Sequence, residues 1–175
     1  MQNIGGIINS HNKKIIESKP KLQLGACNCR VKANCPLKGH CLTESLLYQA
    51  TLSASIPNYS TKVYKGITQH PFKMRYNNHN KAFNNVTYRN DCELSKEVWR
   101  IKDLGGTYQI EWQVLKQLNS YNPNTKRCAL CVTEKLAILE HEGNNLLNKR
   151  SEIISKCRHR NKYMLSSATS NDDIT

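Results

Sequence analysis

Large apolar side chains are scarce in this sequence. Of its 175 residues 7% are aromatic, with two phenylalanines and two tryptophans, and the apolar share is 38%. Such a chain builds a modest core, which suits one ordinary domain with frayed ends. No apolar run approaches the ~18 residues of a membrane span. The opening stretch MQNIGGIINSHNKK lacks the apolar block of a secretory signal, and no basic helix carries a wide apolar face, so no membrane partner is expected. There is no internal repeat, no glycine-rich phosphate loop, no serine-triad signature and no helix-turn-helix pattern. Acidic residues are also few, 13 Asp and Glu against 26 Lys and Arg, a formal charge of +13.

That excess of positive charge on 20.0 kDa points to an anionic partner, nucleic acid first. Neutralising five phosphates would give a slope of roughly −4.5 in log K against log salt. Charge alone does not separate an enzyme from a passive binder. The eight cysteines, with no secretion signal, fit a reducing intracellular compartment and read as metal ligands rather than disulfides.

Taken in order, residues 1–25 read as a linker-like arm. Residues 26–44 are a cysteine-rich metal loop with Cys27, Cys29, Cys35, Cys41 and His40. Strands are expected over 45–52 and 62–67, joined by the turn-forming SASIPNYST into a hairpin that places Tyr48 and Tyr64 on neighbouring strands. Pro71 suits the first turn of a following helix, on which Arg75 and His79, four residues apart, share a face. A second helix is expected over 92–103, stopped by Gly105-Gly106, with Cys92 read as a core thiol. The best strand pattern is 107–115, where Tyr108, Ile110, Trp112 and Val114 alternate onto one face. Cys128 and Cys131 form a C-x₂-C pair at the start of a helix that carries Glu134 and is expected to end at Gly143. A basic helix over 149–162 follows, holding Lys149, Arg150, Lys156, Arg158, Arg160 and Lys162 as nucleic-acid contacts, with Cys157 and His159 among them. The tail over 163–175 reads as disordered. The fold class is therefore α+β: a small three-stranded antiparallel sheet flanked by helices, with Cys/His zinc-binding elements.

This order of residues resembles the GIY-YIG endonuclease family. Leu46-Leu47-Tyr48 stands where its first tripeptide belongs and Tyr64-Lys65-Gly66 where the second does. Arg75 and His79 match its helix arginine and companion histidine, and Glu134 and Asn148 its late glutamate and asparagine. The flanking stretches NCPLKGHCLT, FKMRYNNHNKAF, ELSKEVWRIK, RCALCVTEK and NKRSEIISKCRH are similar to the endonuclease domain of Penelope-like retroelements, over residues 25–162. Two positions depart from the pattern: Leu46 replaces the first glycine, and Lys65 puts a charge where an apolar residue is usual.

The resemblance implies hydrolysis of a DNA phosphodiester, nicking target DNA for integration, in the nucleus, with an upstream reverse transcriptase in the same polyprotein as a partner. Glu134 would hold Mg²⁺ or Mn²⁺ and Arg75 the scissile phosphate. Tyr48, Tyr64 or His79 would handle the proton of the attacking water, and Asn148 would position backbone or ligand. Structural zinc would be held by Cys29, Cys35, Cys41, Cys128, Cys131, Cys157 and His159, with Cys27 in the early group, as two ions or as one linking both groups. The alternative is an inactive, zinc-stabilised nucleic-acid-binding module from a decayed element.

Overall fold

The computed structural model describes residues 26–121, 128–149 and 157, together with Gly6 and Ser10. Three strands, β1 (Leu46–Ala54), β2 (Lys62–Thr68) and β3 (Tyr108–Gln117), form one antiparallel sheet in the order β2-β1-β3. Among the described residues the α-helices beside it are α1 (Phe72–Asn84), α2 (Glu93–Asp103) and α3 (Ala129–Leu139), with short 3-10 turns at Lys32–Asn34 and Val86–Tyr88. The expected α+β class, the hairpin of the first two strands and the Tyr108-to-Val114 face are all present.

Because side chains alternate across a strand, β1 feeds two cores. Leu46, Tyr48, Ala50 and Leu52 join Tyr64, Phe72, Phe83, Leu94, Val98, Ile101 and Trp112 in the larger one. Leu47, between them in sequence, joins Ile67, Leu118, Leu130 and three cysteines in the smaller one on the opposite face. β1 is central because its neighbours need both of its edges, and its even-numbered residues from 46 to 52 are fully enclosed.

Helix boundaries differ from the sequence expectation in two places. Pro71 is the N-cap of α1 rather than its first residue. The helix is capped instead by backbone from the cysteine loop: Phe72 N–H donates to the Thr43 carbonyl (3.0 Å) and Lys73 N–H to that of Cys41 (2.7 Å). Those donors would otherwise be orphaned at the helix start. Gly143 does not end α3, which stops at Leu139, four residues earlier. The chain needs the intervening residues to turn back, Gly143 taking φ +94°, so that Leu146 can pair with Val63 as a parallel rung beside β2. Val63 N–H donates to Asn145 (2.8 Å) and Leu147 N–H to Val63 (2.7 Å), which fixes that return.

Candidate active site and cysteine centres

The hairpin register sets the geometry around Tyr48. Tyr48 lies opposite Gly66, and Tyr64 opposite Ala50, so the two tyrosines are diagonal neighbours on one face. Gly66 is required here by contact: a Cβ at that position would lie 2.5 Å from the Tyr48 hydroxyl oxygen and 2.7 Å from Cζ. The phenol thus fills the space that the glycine leaves, and a side chain on β2 would evict it.

Helix α1 crosses over this face and brings both of its expected residues to the same atom. Arg75 Nε donates to the Tyr48 hydroxyl oxygen (3.0 Å), and His79 Nε2 lies 2.8 Å from that oxygen. The four-residue spacing does what the sequence predicts, since one helical turn separates the two anchors. His79 sits in an aromatic box, with its ring 5.3 Å from that of Trp112, 5.8 Å from Phe83 and 6.0 Å from both Tyr48 and Tyr64. Its Nδ1 is 3.9 Å from Cys92 Sγ. Cys92 is a half-buried thiol packed on the larger core, at the N-cap of α2.

Electrostatics follow from enclosure. Burial pushes Tyr48 up to about 12, opposed by Arg75 and assisted by the charge of Glu134. Burial raises Tyr64 further. Burial and then the Arg75 charge hold His79 down to about 3, so its imidazole is neutral at neutral pH. For Arg75 burial acts against the charge, but the Tyr48 and Tyr64 oxygens outweigh it and the guanidinium stays charged. Among the described residues no carboxylate pairs with Arg75, and its one hydrogen bond runs from Nε to Tyr48. Both terminal amino groups of its fork are left for another partner.

Glu134 is 6% exposed on α3. Asn148 hydrogen-bonds to backbone rather than to the phenol. Its side-chain amide clasps the backbone of Lys65, accepting from Lys65 N–H (2.7 Å) and donating to its carbonyl (2.8 Å). This is a strand rung made by one side chain, on the edge of β2 away from β1. Lys65, the charge at a usually apolar position, is 8% exposed and donates through Nζ to the Ala137 carbonyl (2.7 Å). That carbonyl belongs to the last turn of α3, where intrahelical donors run out and a cation is favoured. Leu46, at the first glycine position, is fully buried in the larger core. Both residues keep regular pairing between β1 and β2, while the β1–β3 pairing shifts register between Leu47 and Tyr48.

The cysteines form two separate groups. Cys27, Cys29, Cys35 and Cys41 bring all four Sγ atoms within 4.8 Å of one another, and Cys128, Cys131 and Cys157 do the same with three. Tetrahedral zinc with Zn–S near 2.3 Å sets its sulfurs about 3.8 Å apart. The spacings match: 3.6 Å for Cys29–Cys41, 3.7 Å for Cys27–Cys41 and 3.9 Å for Cys131–Cys157. Burial acts to raise the Cys35 thiol, but backbone N–H donors from Gly39 and Leu37 outweigh it and hold it down to about 6. Burial pushes Cys41 up to about 12. The hydrogen bond with Cys131, and then burial, push Cys128 well above the usual thiol range. Each group is thus arranged to bind a metal ion such as zinc, which would displace the thiol protons. A single site linking the two groups is not what forms. His40 is exposed and outside the four-thiol group.

His159, Arg150, Lys156, Arg158, Arg160 and Lys162 lie outside the described residues. Lys149 is exposed, 3.7 Å from Glu93. Sequence reasoning missed three contributors: the space that Gly66 leaves for Tyr48, the Cys92 sulfur beside His79, and the burial of Lys65. The first was accessible from the hairpin register; the other two carry no sequence signal.

Comparison with protein-family models, curated proteins and solved structures gives no match. No helix among the described residues is long and apolar enough to cross a membrane.

Proposed function

We propose that this chain is a metal-dependent DNA endonuclease domain of GIY-YIG type, from a Penelope-like retroelement, that hydrolyses a phosphodiester bond. The observation that carries this reading is the guanidinium of Arg75: half-buried, tethered through Nε to a buried phenol, and without a carboxylate partner among the described residues. A buried cation is costly unless paired, and a planar fork with two free arms matches two oxygens of a phosphate. The +13 charge of the chain supplies attraction to the DNA backbone.

In this mechanism Arg75 keeps Nε on Tyr48 and offers its terminal N–H groups to the scissile phosphate, offsetting charge in the transition state. Tyr48 relays the proton of the attacking water, and neutral His79 receives the phenolic proton at Nε2. Glu134, a buried carboxylate on α3, would hold Mg²⁺ or Mn²⁺; one carboxylate with waters and a substrate phosphate is an ordinary Mg²⁺ set. The chemistry a bound ion would supply is polarisation of a phosphate oxygen and stabilisation of charge on the leaving oxygen. Asn148 and Lys65 fix β2 and α3 relative to each other. Zinc in the two cysteine groups would be structural. The reverse transcriptase upstream and a nuclear location belong to the same reading.

The test is nicking of supercoiled plasmid with Mg²⁺ by the zinc-loaded protein, beside Glu134→Ala and Arg75→Ala. Nicking is expected from the parent, with each variant slowed at least about 100-fold, the size of losing one transition-state charge contact. A folded, zinc-loaded parent that binds DNA and leaves it intact would replace this reading with the inactive nucleic-acid-binding module.

A further inference from the structure

The hydrogen bonds around Tyr48 have only one consistent set of proton positions. Arg75 Nε–H is a donor and nothing else, so the Tyr48 oxygen accepts from it. Tyr48 is fully enclosed, and its other hydrogen-bond partner is His79 Nε2 at 2.8 Å. Leaving a buried hydroxyl proton unpaired costs about 1–3 kcal/mol. The Tyr48 O–H therefore donates to Nε2, which must be the unprotonated nitrogen. Thr133 Oγ1 is the buried side-chain nitrogen or oxygen without a partner among the described residues, so Tyr48 and His79 are both satisfied. In the neutral ring the proton then sits on Nδ1. His79 is 1% exposed, and what faces Nδ1 is the Cys92 sulfur at 3.9 Å.

We propose that Cys92 is a positioning residue for His79: its sulfur accepts the Nδ1 proton and holds the imidazole in the tautomer whose Nε2 lone pair faces the Tyr48 hydroxyl. The chain of donors runs in one direction, from Arg75 to Tyr48 to His79 to Cys92. The tautomer assignment stands on geometry alone; its use in catalysis rests on the nuclease reading above. In that use, the Tyr48 O–H bond breaks as an N–H bond forms at Nε2, in concert with transfer of one proton from the attacking water to the Tyr48 oxygen, so that no free phenolate is left in the enclosed site. The imidazolium carries the extra proton, with its Nδ1–H still on the Cys92 sulfur. After cleavage it returns that proton to the Tyr48 oxygen as the phenolic proton passes to the leaving oxygen. The other tautomer would present an N–H to Tyr48 and have no lone pair to receive the proton.

Cys92→Ala keeps one half of the α2 capping box, the bond from the Cys92 backbone N–H to Ser95 Oγ (3.0 Å), and loses the other, in which the Cys92 side chain accepts from the Ser95 backbone N–H; Cys92→Ser keeps an acceptor for both and so controls for the cap. The experiment is ¹⁵N NMR of the histidine side chains in the zinc-loaded protein, with His79→Gln to assign the resonance, on parent, Cys92→Ala and Cys92→Ser. The parent is expected to show His79 protonated at Nδ1 and bare at Nε2. Cys92→Ala should expose Nδ1–H to solvent exchange at least tenfold faster and lower kcat for nicking about tenfold with KM unchanged. Cys92→Ser, whose hydroxyl oxygen is an acceptor, should restore both. A parent protonated at Nε2, or a Cys92→Ala protein with the parent's exchange rate, overturns the proposal. A parent with the Nδ1–H tautomer and no nicking supports the positioning role and removes the nuclease reading alone.

Discussion

The two faces of the sheet are closed by different chemistry. Over Tyr48 the closure is aromatic: Phe72, Tyr76, His79, Phe83, Tyr108 and Trp112 pack ring against ring, with α2 supplying Leu94, Val98 and Ile101 behind them. Over Leu47 and Ile67 the closure is small: Leu118, Leu130 and the thiols of Cys128, Cys131 and Cys157. The first face holds its polar atoms in fixed hydrogen bonds inside a large hydrophobic mass. The second has too little apolar area for that, and it gathers sulfurs that a metal can tie. The catalytic proposal draws on both, since Arg75 and His79 come from the aromatic face and Glu134 from the helix over the thiol face. The lesson is that a chain with few large apolar residues can spend them on the face where geometry must be held to a fraction of an ångström.

This contrast breaks most clearly on metal removal. Stripping zinc with a strong chelator should raise amide hydrogen exchange in α3, and in the first turn of α1 that the cysteine loop caps, at least 100-fold, about 3 kcal/mol. The amides of β1 and α2 should keep their protection. Equal loss on both faces would show that the aromatic core does not stand alone.

An effect of comparable size, confined to the aromatic face, is expected from Gly66→Ala. The new Cβ would fall on the Tyr48 hydroxyl at 2.5 Å, and β2 cannot retreat while Asn148 clasps the backbone of Lys65. Overpacking of this kind should cost about 3 kcal/mol in chemical denaturation and abolish nicking without altering zinc content. Unchanged stability would mean that Tyr48 can vacate its place cheaply.

The smallest effect is in the pH dependence of stability. Unfolded, His79 takes a proton near pH 6.5; folded, burial and then Arg75 hold it down to about 3. The unfolded chain binds the extra proton between those values, so the contribution of neutral His79 is present above pH 6.5 and is lost as pH falls. Between pH 6.5 and 5 this amounts to about 2 kcal/mol. Melts of parent and His79→Gln over that range should diverge by this amount. Parallel curves would place His79 in a wetter site than the aromatic box.

Period and spacing were enough to read the strands, the first hairpin and the Arg75/His79 face, because these depend on neighbours in the chain. The start of α1 was misjudged because its caps come from Thr43 and Cys41, some thirty residues earlier in the chain. The end of α3 was misjudged because a glycine signal was read locally, while the real stop is set by the chain's return to pair Leu146 with Val63. Lys65 read as a defect from its position in the motif, and only the last-turn carbonyl of α3 makes it a partner.

By itself, then, the sequence determined the net charge, the α+β class, the alternating faces and the residue types able to bind phosphate, protons and metal. Tertiary structure decided which atoms meet. It put the Tyr48 oxygen between a donor-only guanidinium and an imidazole, aimed Cys92 at the far nitrogen of that ring, and separated the seven described thiols of the two metal groups into a four and a three. The physical reason is that hydrogen-bond direction and metal geometry act over about 3–4 Å between residues far apart in the chain, a scale that no local pattern encodes.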